Sequence, residues 1–264
     1  MSCLLIGIPM YNCRNQIKRV IEDLRSLRLD QPFEIWLVDN QSSDGTLSTS
    51  IELLQRSEIR NVRVFQNSYN VNLGGTQKLI FRAAATRGFT HVVIFHGDDQ
   101  PSVGDISRVV EHSIKRGGMT TLGTRFSRNS NRLGYQRARV IGNYILNVLY
   151  SCLFFRRLSD LGSGLNVFRV ADLEMIPVET FSNSLTFNYE LLLGLLSRRV
   201  QFDYVPISWK EHDQISNARN IQIFFTAVNI ALSWRLGFRT QRLYSRSTRF
   251  CKLDAVMLEK YFRL

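Results

Sequence analysis

The sequence predicts an α/β fold in which a mostly parallel sheet is flanked by helices. Short apolar runs alternate with longer segments of helical character through the first 123 residues, and this alternation is typical of consecutive β-α-β units. The runs are almost continuously apolar, as expected for strands that are covered on both faces. The short connections between them indicate right-handed crossovers within one Rossmann-type sheet.

The individual elements follow from these patterns. The predicted strands span residues 3–8, 33–38, 62–65, 91–95, 119–123 and 202–207. The predicted helices begin at Asn12, Asp44, Gly74, Ser102 and Asn183, and a terminal helical region begins at about Asn217. Residues 160–169 predict a glycine turn that enters a further strand. Polar residues follow the strands at 9–12, 39–40 and 96–100, so we expect them to meet at one edge of the sheet, where such folds bind ligands.

The charge balance indicates an anionic partner. The chain has 34 Lys and Arg residues against 22 Asp and Glu residues, and its net charge is +12. No acidic residue lies between Arg125 and Arg157, which flank the apolar stretch 141–155. A second basic tract follows the apolar segment 221–236. Basic residues beside apolar helices favour attachment to a membrane surface; two packed core helices with solvated ends are the alternative. No nucleic-acid-binding module is recognisable.

The remaining composition predicts a cytoplasmic protein that is peripheral on the inner face of the cell membrane. No apolar run reaches 18 residues, and the N-terminus lacks the features of a signal peptide. The four cysteines, Cys3, Cys13, Cys152 and Cys251, have no CxxC spacing. They are therefore expected to be reduced structural thiols.

The fourth predicted strand ends in an acidic tip. The apolar run 92–95 stops at His96-Gly97-Asp98-Asp99-Gln100-Pro101. Oxygen donors packed this closely suit Mg²⁺ or Mn²⁺, and such a metal would neutralise a pyrophosphate. A nucleoside-diphosphate substrate is therefore the first hypothesis, and an acidic turn after a core strand is the alternative.

Two further motifs follow the first two predicted strands and are expected to lie beside the acidic tip. Pro9-Met10-Tyr11-Asn12 and the segment 38–46, Val-Asp-Asn-Gln-Ser-Ser-Asp-Gly-Thr, follow the first two strands. Together with the acidic tip they resemble the family-2 glycosyltransferases, nucleotide-sugar-dependent enzymes of the GT-A fold, over most of residues 3–215. The resemblance implies that Pro9, Tyr11 and Asp39 hold the base and ribose.

The same resemblance extends to the phosphate and metal sites. Asn72-Leu73-Gly74 matches the Asn-x-Gly of the family, so Asn72, Gly74 and the following Lys78 are expected to contact the nucleotide. The acidic tip is similar to the Asp-Ala-Asp-Leu-Gln of polyprenyl-phosphate sugar transferases, with His96 at the first acidic position. Asp98 and Gln100 then match the metal ligands and Asp98 is catalytic. Asp99 is a further carboxylate for metal or sugar, and His96 either contacts the donor or is a hydrogen-bonded residue at the strand end.

The acceptor side is implied by later motifs. Gly123-Thr124-Arg125 resembles a Gly-Ser-Arg element of the family, and Arg125 and Arg139 are candidates for binding an acceptor phosphate. Asp160 and Glu190 are the candidate bases, although an ionised phosphate acceptor would need none. Residues 211–217 depart from the Arg-x-x-Gly-x-Ser-Lys of lipid-phosphate enzymes, and His212 and Asp213 could form a lid over the metal or an ordinary polar loop.

These inferences lead to one predicted organisation. Residues 1–215 form a GT-A domain with a nucleotide half (1–123) and an acceptor half (124–215), and residues 216–264 form a basic, amphipathic, membrane-facing helical region. The expected reaction is metal-assisted, inverting transfer of a sugar from a nucleoside-diphosphate sugar to polyprenyl phosphate or a lipid-linked glycan of a cell-envelope pathway. The alternatives are a nucleotidyltransferase, a non-catalytic sugar-nucleotide-binding relative and a nucleic-acid-binding module.

Overall fold

The computed structural model describes residues 3–211, 220–237 and 253–254. The strands are β1 (Leu4–Met10), β2 (Phe33–Asp39), β3 (Val62–Asn67), β4 (His91–Phe95), β5 (Thr120–Thr124), β6 (Arg132–Leu133), β7 (Leu165–Arg169), β8 (Phe202–Pro206), β9 (Trp209–Lys210) and β10 (Leu253–Asp254). The α-helices are α1 (Arg14–Leu24), α2 (Thr46–Gln55), α3 (Asn72–Thr86), α4 (Gly104–Lys115), α5 (Arg137–Phe154), α6 (Val170–Glu174), α7 (Phe187–Ser197) and α8 (Asn220–Arg235). A 3-10 helix spans Val178–Thr180.

The main sheet confirms the predicted α/β fold. Its strand order is β10-β3-β2-β1-β4-β7-β5-β8. The pairs β1–β2, β2–β3, β1–β4 and β5–β8 are parallel. Strand β7 is antiparallel to both β4 and β5, and β10 is antiparallel to β3. The sheet is therefore mostly parallel, with one reversed strand near its middle.

Both faces of the sheet are covered, which explains why its strands are continuously apolar. Along β1, Leu4, Ile6 and Ile8 pack into one hydrophobic cluster and Leu5 packs into a second cluster on the opposite face. Gly7 lies on the Leu5 side, because a Cβ atom there would come within 2.6 Å of Cγ2 of Ile80. Helix α3 thus packs directly on the backbone of β1.

The acceptor half adds two features to this sheet. Strands β6 and β9 pair in parallel as a separate two-stranded sheet, and Pro101 forms a bridge with Trp209. These contacts hold residues 209–211 beside the tip of β4. Helices α5 and α8 pack against each other, and the Tyr150 hydroxyl donates a hydrogen bond to the Ala227 carbonyl at 2.8 Å.

The predicted C-terminal helical region is only partly described. Helix α8 confirms a helix close to Asn217, but Leu253 and Asp254 form a strand on β3, where the sequence predicted helix. The basic residues between 238 and 252, and the His212 and Asp213 of the predicted lid, lie outside the described residues. No helix in the described part of the chain has the length and apolarity needed to cross a bilayer.

Candidate active site

Three predicted donor-site segments meet at the carboxyl edge of β1, β2 and β4. Met10 at the end of β1 lies opposite Asp39 at the end of β2. The amide of Gly97, just past β4, donates to the Pro9 carbonyl at 3.1 Å. The parallel pairing of β1 with both neighbours therefore brings Pro9, Asp39 and the acidic tip to one edge. Tyr11 lies at the same edge, with 46% of its surface exposed.

Asp39 has one unused acceptor atom. The side chain is fully buried, and its Oδ2 accepts from the Ser42 amide at 3.1 Å and from Gln66 Nε2 at 3.0 Å. Its Oδ1 is buried and has no hydrogen-bond partner among the described residues. An unsatisfied buried carboxylate oxygen is costly. Asp39 is therefore suited to accept a hydrogen bond from a ligand at this edge, such as the N–H of a base.

His96 packs into the site as a neutral ring. Its amide donates to the Gly164 carbonyl at 2.9 Å, and a Cβ atom on Gly164 would come within 3.0 Å of the imidazole. Burial, with the positive charge of Arg125, lowers the pKa of His96 to about 4. The buried Nε2 has no partner within the described part of the protein. At neutral pH this histidine is uncharged.

Asp98 and Gln100 fit a hard divalent cation. Burial, with the nearby charge of Asp99, raises the pKa of Asp98 to about 6, so a cation beside this carboxylate would favour its ionised form. Gln100 donates its Nε2 to Glu211 at 3.3 Å, which leaves its carbonyl oxygen as a ligand. No cluster of three or more His, Cys, Asp or Glu residues suited to a metal occurs among residues 3–211, 220–237 and 253–254. A cation held by these two side chains would complete its shell with substrate oxygens and water.

Asp99 corrects the sequence prediction. Its backbone has φ +58°, and its buried carboxylate is paired with Arg19 Nε at 2.6 Å and Lys210 Nζ at 3.0 Å. Each carboxylate oxygen therefore already has a cationic partner. Asp99 ties α1 and β9 to the acidic tip, and it does not offer a carboxylate to a metal or a sugar.

The predicted phosphate loop is a packing element. Asn72 has φ +61° and begins α3. The Gly74 amide donates to the Asn183 carbonyl at 2.8 Å, and a Cβ atom at Gly74 would lie 2.5 Å from Cβ of Phe187. Gly74 is thus required for close packing of α3 on the segment that leads into α7.

Lys78 does not reach toward a phosphate. Burial lowers its pKa to about 8, so it remains charged at neutral pH. Its Nζ donates to the Phe181 carbonyl, to Asn183 Oδ1 at 2.8 Å and to the Glu179 carbonyl at 3.4 Å. All three ammonium donors are used. The predicted contact between Lys78 and the donor is therefore wrong in this structure.

Arg125 and Asp160 also correct their predicted roles. Arg125 Nε donates to Asp160 Oδ2 at 2.8 Å, and Nη2 donates to Oδ1 at 2.7 Å. Burial opposes the charge of the guanidinium, but Asp160 raises the pKa of Arg125 above its usual range. The fork that was expected to bind an acceptor phosphate is filled by a carboxylate, and the carboxylate that was expected to act as a base is ion-paired.

Glu190 lies in a third cluster, apart from the acidic tip. Its Oε2 accepts a hydrogen bond of 2.6 Å from the Ser182 amide, and it lies close enough to Lys78 to be stabilised by its charge. Burial raises the pKa of Glu190. The carboxylate therefore fixes the segment before α7, which corrects its prediction as a catalytic base.

Arg139 forms an ion pair that the sequence did not predict. Its Nη1 donates to Glu211 Oε1 at 2.7 Å, and this oxygen also accepts from Gln100. The Tyr135 hydroxyl accepts from Arg125 Nη1 and from Asn143 Nδ2, each at 3.2 Å. Tyr135 and Glu211 carry no motif, and the only sequence signal was that Glu211 opens the segment that departs from the family pattern.

Comparison with known proteins identifies the family. The family described as glycosyl transferase family 2 matches residues 5–176, a range that contains Asp39, the acidic tip and almost all of β1. The chain belongs to this family. It is therefore a family-2 glycosyltransferase, as the motifs of its first half predicted.

The relatives of this glycosyltransferase extend the comparison. The dolichyl-phosphate beta-glucosyltransferase of Saccharomyces cerevisiae is 23% identical over 235 residues, which cover 80% of this chain and 67% of the yeast protein. Among solved structures, glucosyl-3-phosphoglycerate synthase of Mycobacterium tuberculosis in complex with Mn²⁺, UDP and glucosyl-3-phosphoglycerate has a TM-score of 0.66 at 14% identity, over 89% of this chain and 80% of that one. Mannosyl-3-phosphoglycerate synthase of Rubrobacter xylanophilus has a TM-score of 0.62 at 15% identity, over 94% and 78%. The likeness to these structures establishes the GT-A fold.

Proposed function

We propose that this glycosyltransferase transfers a sugar from a nucleoside-diphosphate sugar, with inversion and divalent-metal assistance, to polyprenyl phosphate at a membrane surface. A lipid-linked glycan is the second acceptor of the same class. The names of the relatives support a lipid-phosphate acceptor and a nucleotide-sugar donor. One relative is named a dolichyl-phosphate beta-glucosyltransferase, and one solved structure contains UDP and Mn²⁺. The single observation that carries the proposal is an exposed apolar helix face that begins beside Arg139.

The donor would lie at the edge of β1, β2 and β4. Asp39 offers its unpaired Oδ1 to the base, and Pro9 and Tyr11 line the same edge. Asn72 and the neutral His96 complete the proposed donor contacts. Asp98 and Gln100 would hold a Mg²⁺ or Mn²⁺ ion, which when bound supplies positive charge to the departing diphosphate.

The state of the carboxylates favours an acceptor that is already ionised. Asp160 is paired with Arg125, Asp99 with Arg19 and Lys210, and Glu211 with Arg139. Carboxylates engaged in this way are poor general bases. A phosphate acceptor is anionic at neutral pH and needs no base to attack the sugar. Arg139, whose side chain is 23% exposed, is the guanidinium that would bind this phosphate.

The exposed face runs along α5, the helix that carries Arg139. One side of the helix packs on the core through Leu146 and Tyr150. The opposite side forms a stripe that contains no charged residue and is exposed along its length. Its members are Ala138, Ile141, Ile145, Val148, Cys152 and Phe155. Apolar residues at this helical spacing on an exposed face are typical of a surface that enters the lipid headgroup region.

Helix α8 widens this face. It packs beside α5 and exposes a second set of apolar side chains, namely Ile221, Phe225, Leu232 and Leu236. Arg137 at one end, and Arg157 and Arg235 at the other, are exposed around the two helices. Apolar side chains bordered by arginines match a bilayer with anionic headgroups. We therefore propose that the protein rests on the cytoplasmic face of the membrane, with the prenyl chain alongside α5 and its phosphate at Arg139.

A donor and acceptor panel tests this proposal. Nucleoside-diphosphate sugars are incubated with Mn²⁺ and with undecaprenyl phosphate, undecaprenol or no acceptor, and released nucleoside diphosphate is measured. We expect one donor to give rapid release only with the phosphorylated lipid. Equal release with the alcohol, or release that the lipid does not stimulate, would contradict the proposed acceptor.

A further inference from the structure

One carboxylate oxygen connects the two halves of the proposed active site. Glu211 Oε1 accepts from Arg139 Nη1 at 2.7 Å and from Gln100 Nε2 at 3.3 Å. Arg139 belongs to the proposed acceptor site, and Gln100 belongs to the proposed metal site. Glu211 thus stands at the point where the nucleophile and the metal-bound donor would have to approach each other.

The backbone holds this carboxylate in place. The Glu211 amide donates to the Leu133 carbonyl at 2.9 Å, which continues the β6–β9 pairing. Gly134, with φ +71°, passes so close that a Cβ atom there would lie 2.1 Å from the Glu211 carbonyl oxygen. The Glu211 side chain itself is 12% exposed. Its contact with Arg139 is therefore part of the fold and not a chance meeting of two surface side chains.

The pairs Arg125–Asp160 and Arg139–Glu211 differ in how readily an incoming anion could replace the carboxylate. Arg125 is 8% exposed and donates from two nitrogens to Asp160, so a ligand would have to displace a buried bidentate ion pair. Arg139 is 23% exposed and meets Glu211 through Nη1 alone among the described contacts. A carboxylate and a phosphate present similar anionic oxygens to a guanidinium. Of these two pairs, the Arg139 pair is the one in which an incoming anion could replace the carboxylate.

We propose that Glu211 occupies the place of the acceptor's phosphate oxygen while the acceptor is absent, and that the acceptor displaces it. This inference rests on the proposed function. Displacement has two consequences. An acceptor must out-compete a carboxylate, which favours a phosphate dianion over an uncharged lipid alcohol. Departure of Glu211 also removes the hydrogen bond that holds the Gln100 carboxamide. Binding of the acceptor would therefore change the surroundings of a proposed metal ligand.

Binding of farnesyl phosphate to the full chain tests this role without turnover. Isothermal titration compares the wild type with Glu211→Gln, Arg139→Gln and Glu179→Gln. Gln at position 211 keeps an oxygen that can accept from Arg139 but removes the competing charge. Glu179 forms a comparable but remote pair with Arg82, at 2.8 Å, and serves as the matched control. Farnesol serves as the probe without phosphate.

We expect Glu211→Gln to bind farnesyl phosphate about 5-fold to 10-fold more tightly than the wild type, with farnesol binding unchanged. Arg139→Gln should bind it more weakly, and Glu179→Gln should match the wild type. If Arg139→Gln loses affinity while Glu211→Gln matches or falls below the wild type, the role of Glu211 is overturned and the acceptor site stands. If neither variant alters binding, both the inference and the proposed acceptor site are overturned.

Discussion

Arg125 and Asp160 form a buried, bidentate ion pair, with Nε–Oδ2 and Nη2–Oδ1 distances of 2.8 Å and 2.7 Å. The side chains are 8% and 1% exposed. The pair joins the end of β5 to the turn that enters β7, and the Arg125 guanidinium also stacks 4.8 Å from the Trp209 ring. Arg125 was predicted to bind the acceptor phosphate and Asp160 to act as a general base. In the structure, the two residues instead hold the acceptor half together.

Removal of one partner of this pair should destabilise the fold. Asp160→Asn leaves a buried guanidinium without its counter-charge, and we expect the free energy of unfolding in urea to fall by about 3–5 kcal/mol. Asp203→Asn, which breaks an exposed pair with Arg116 at 3.0 Å, should cost at most about 1 kcal/mol. Equal stability losses for the two variants would contradict this assignment.

Substitution of the neighbouring carboxylates should have different effects: Asp98 is expected to be needed for catalysis and Asp99 for stability. Asp98→Asn should reduce turnover by about 100-fold or more, because it removes a proposed metal ligand, and should not lower the unfolding temperature, because burial already disfavours the charge of Asp98. Asp99→Asn should lower the stability by about 1–3 kcal/mol through loss of the charge that pairs with Arg19 and Lys210. Initial rates and thermal unfolding of both variants check this. The reverse pattern would exchange their roles.

Metal affinity should depend on the ionisation of Asp98. Burial, with Asp99, raises the pKa of Asp98 to about 6, and only the ionised carboxylate binds a metal. We therefore expect the Mn²⁺ affinity to fall about tenfold for each pH unit below 6 and to level off above it. Titration of free Mn²⁺ by electron paramagnetic resonance measures this. An affinity that stays constant from about pH 5 to 7 would exclude Asp98 as the ligand.

The apolar stripe of α5 should carry membrane attachment. Each apolar side chain removed from water contributes about 1.5–3 kcal/mol, so Ile145→Asp combined with Val148→Asp should reduce co-flotation with anionic vesicles at least about tenfold. Met175→Asp, directly after α6 and similarly exposed, is the control and should float like the wild type. If the double variant floats with the vesicles as well as the wild type does, this face of α5 does not contact lipid.

Two helical glycines should respond in opposite directions to alanine. Gly74→Ala places a Cβ atom 2.5 Å from Cβ of Phe187 and 2.8 Å from the Ser182 carbonyl oxygen, and should cost about 1–3 kcal/mol. Gly142→Ala meets no atom closer than 3.9 Å and should gain about 0.5–1 kcal/mol from its better helix propensity. Thermal unfolding distinguishes them. A stable Gly74→Ala variant would contradict the close packing of α3 on the segment before α7.

The sequence was most informative where a local pattern determines the structure. The strand of residues 91–95 was predicted at its observed bounds, and Asp39 and the acidic tip were placed at one edge because parallel strands end together. The reversed direction of β7 carries no local signal, because an apolar run looks the same in either orientation. The two-residue strands β6 and β9 are too short to show any period.

Side-chain roles were least predictable where the partner is remote in sequence. The partner of Lys78 lies 103 residues away at Phe181, and the partner of Asp99 lies 80 residues away at Arg19. A charged residue looks equally available for a ligand or for a buried pair until the fold brings its partner to it. The position of Asp39, which ends β2, and of Asp98, which follows β4, at the ligand edge needed no such information.

The most direct test of the central claim is where a transferred sugar is found. A radiolabelled donor sugar is offered, with Mn²⁺, to undecaprenyl phosphate in anionic vesicles and to soluble 3-phosphoglycerate in the same reaction, and the label is measured after phase separation. Because α5 joins Arg139 to an exposed apolar stripe, the label is expected in the lipid fraction. Label that accumulates in the water-soluble acceptor would contradict a membrane-bound acceptor for this enzyme.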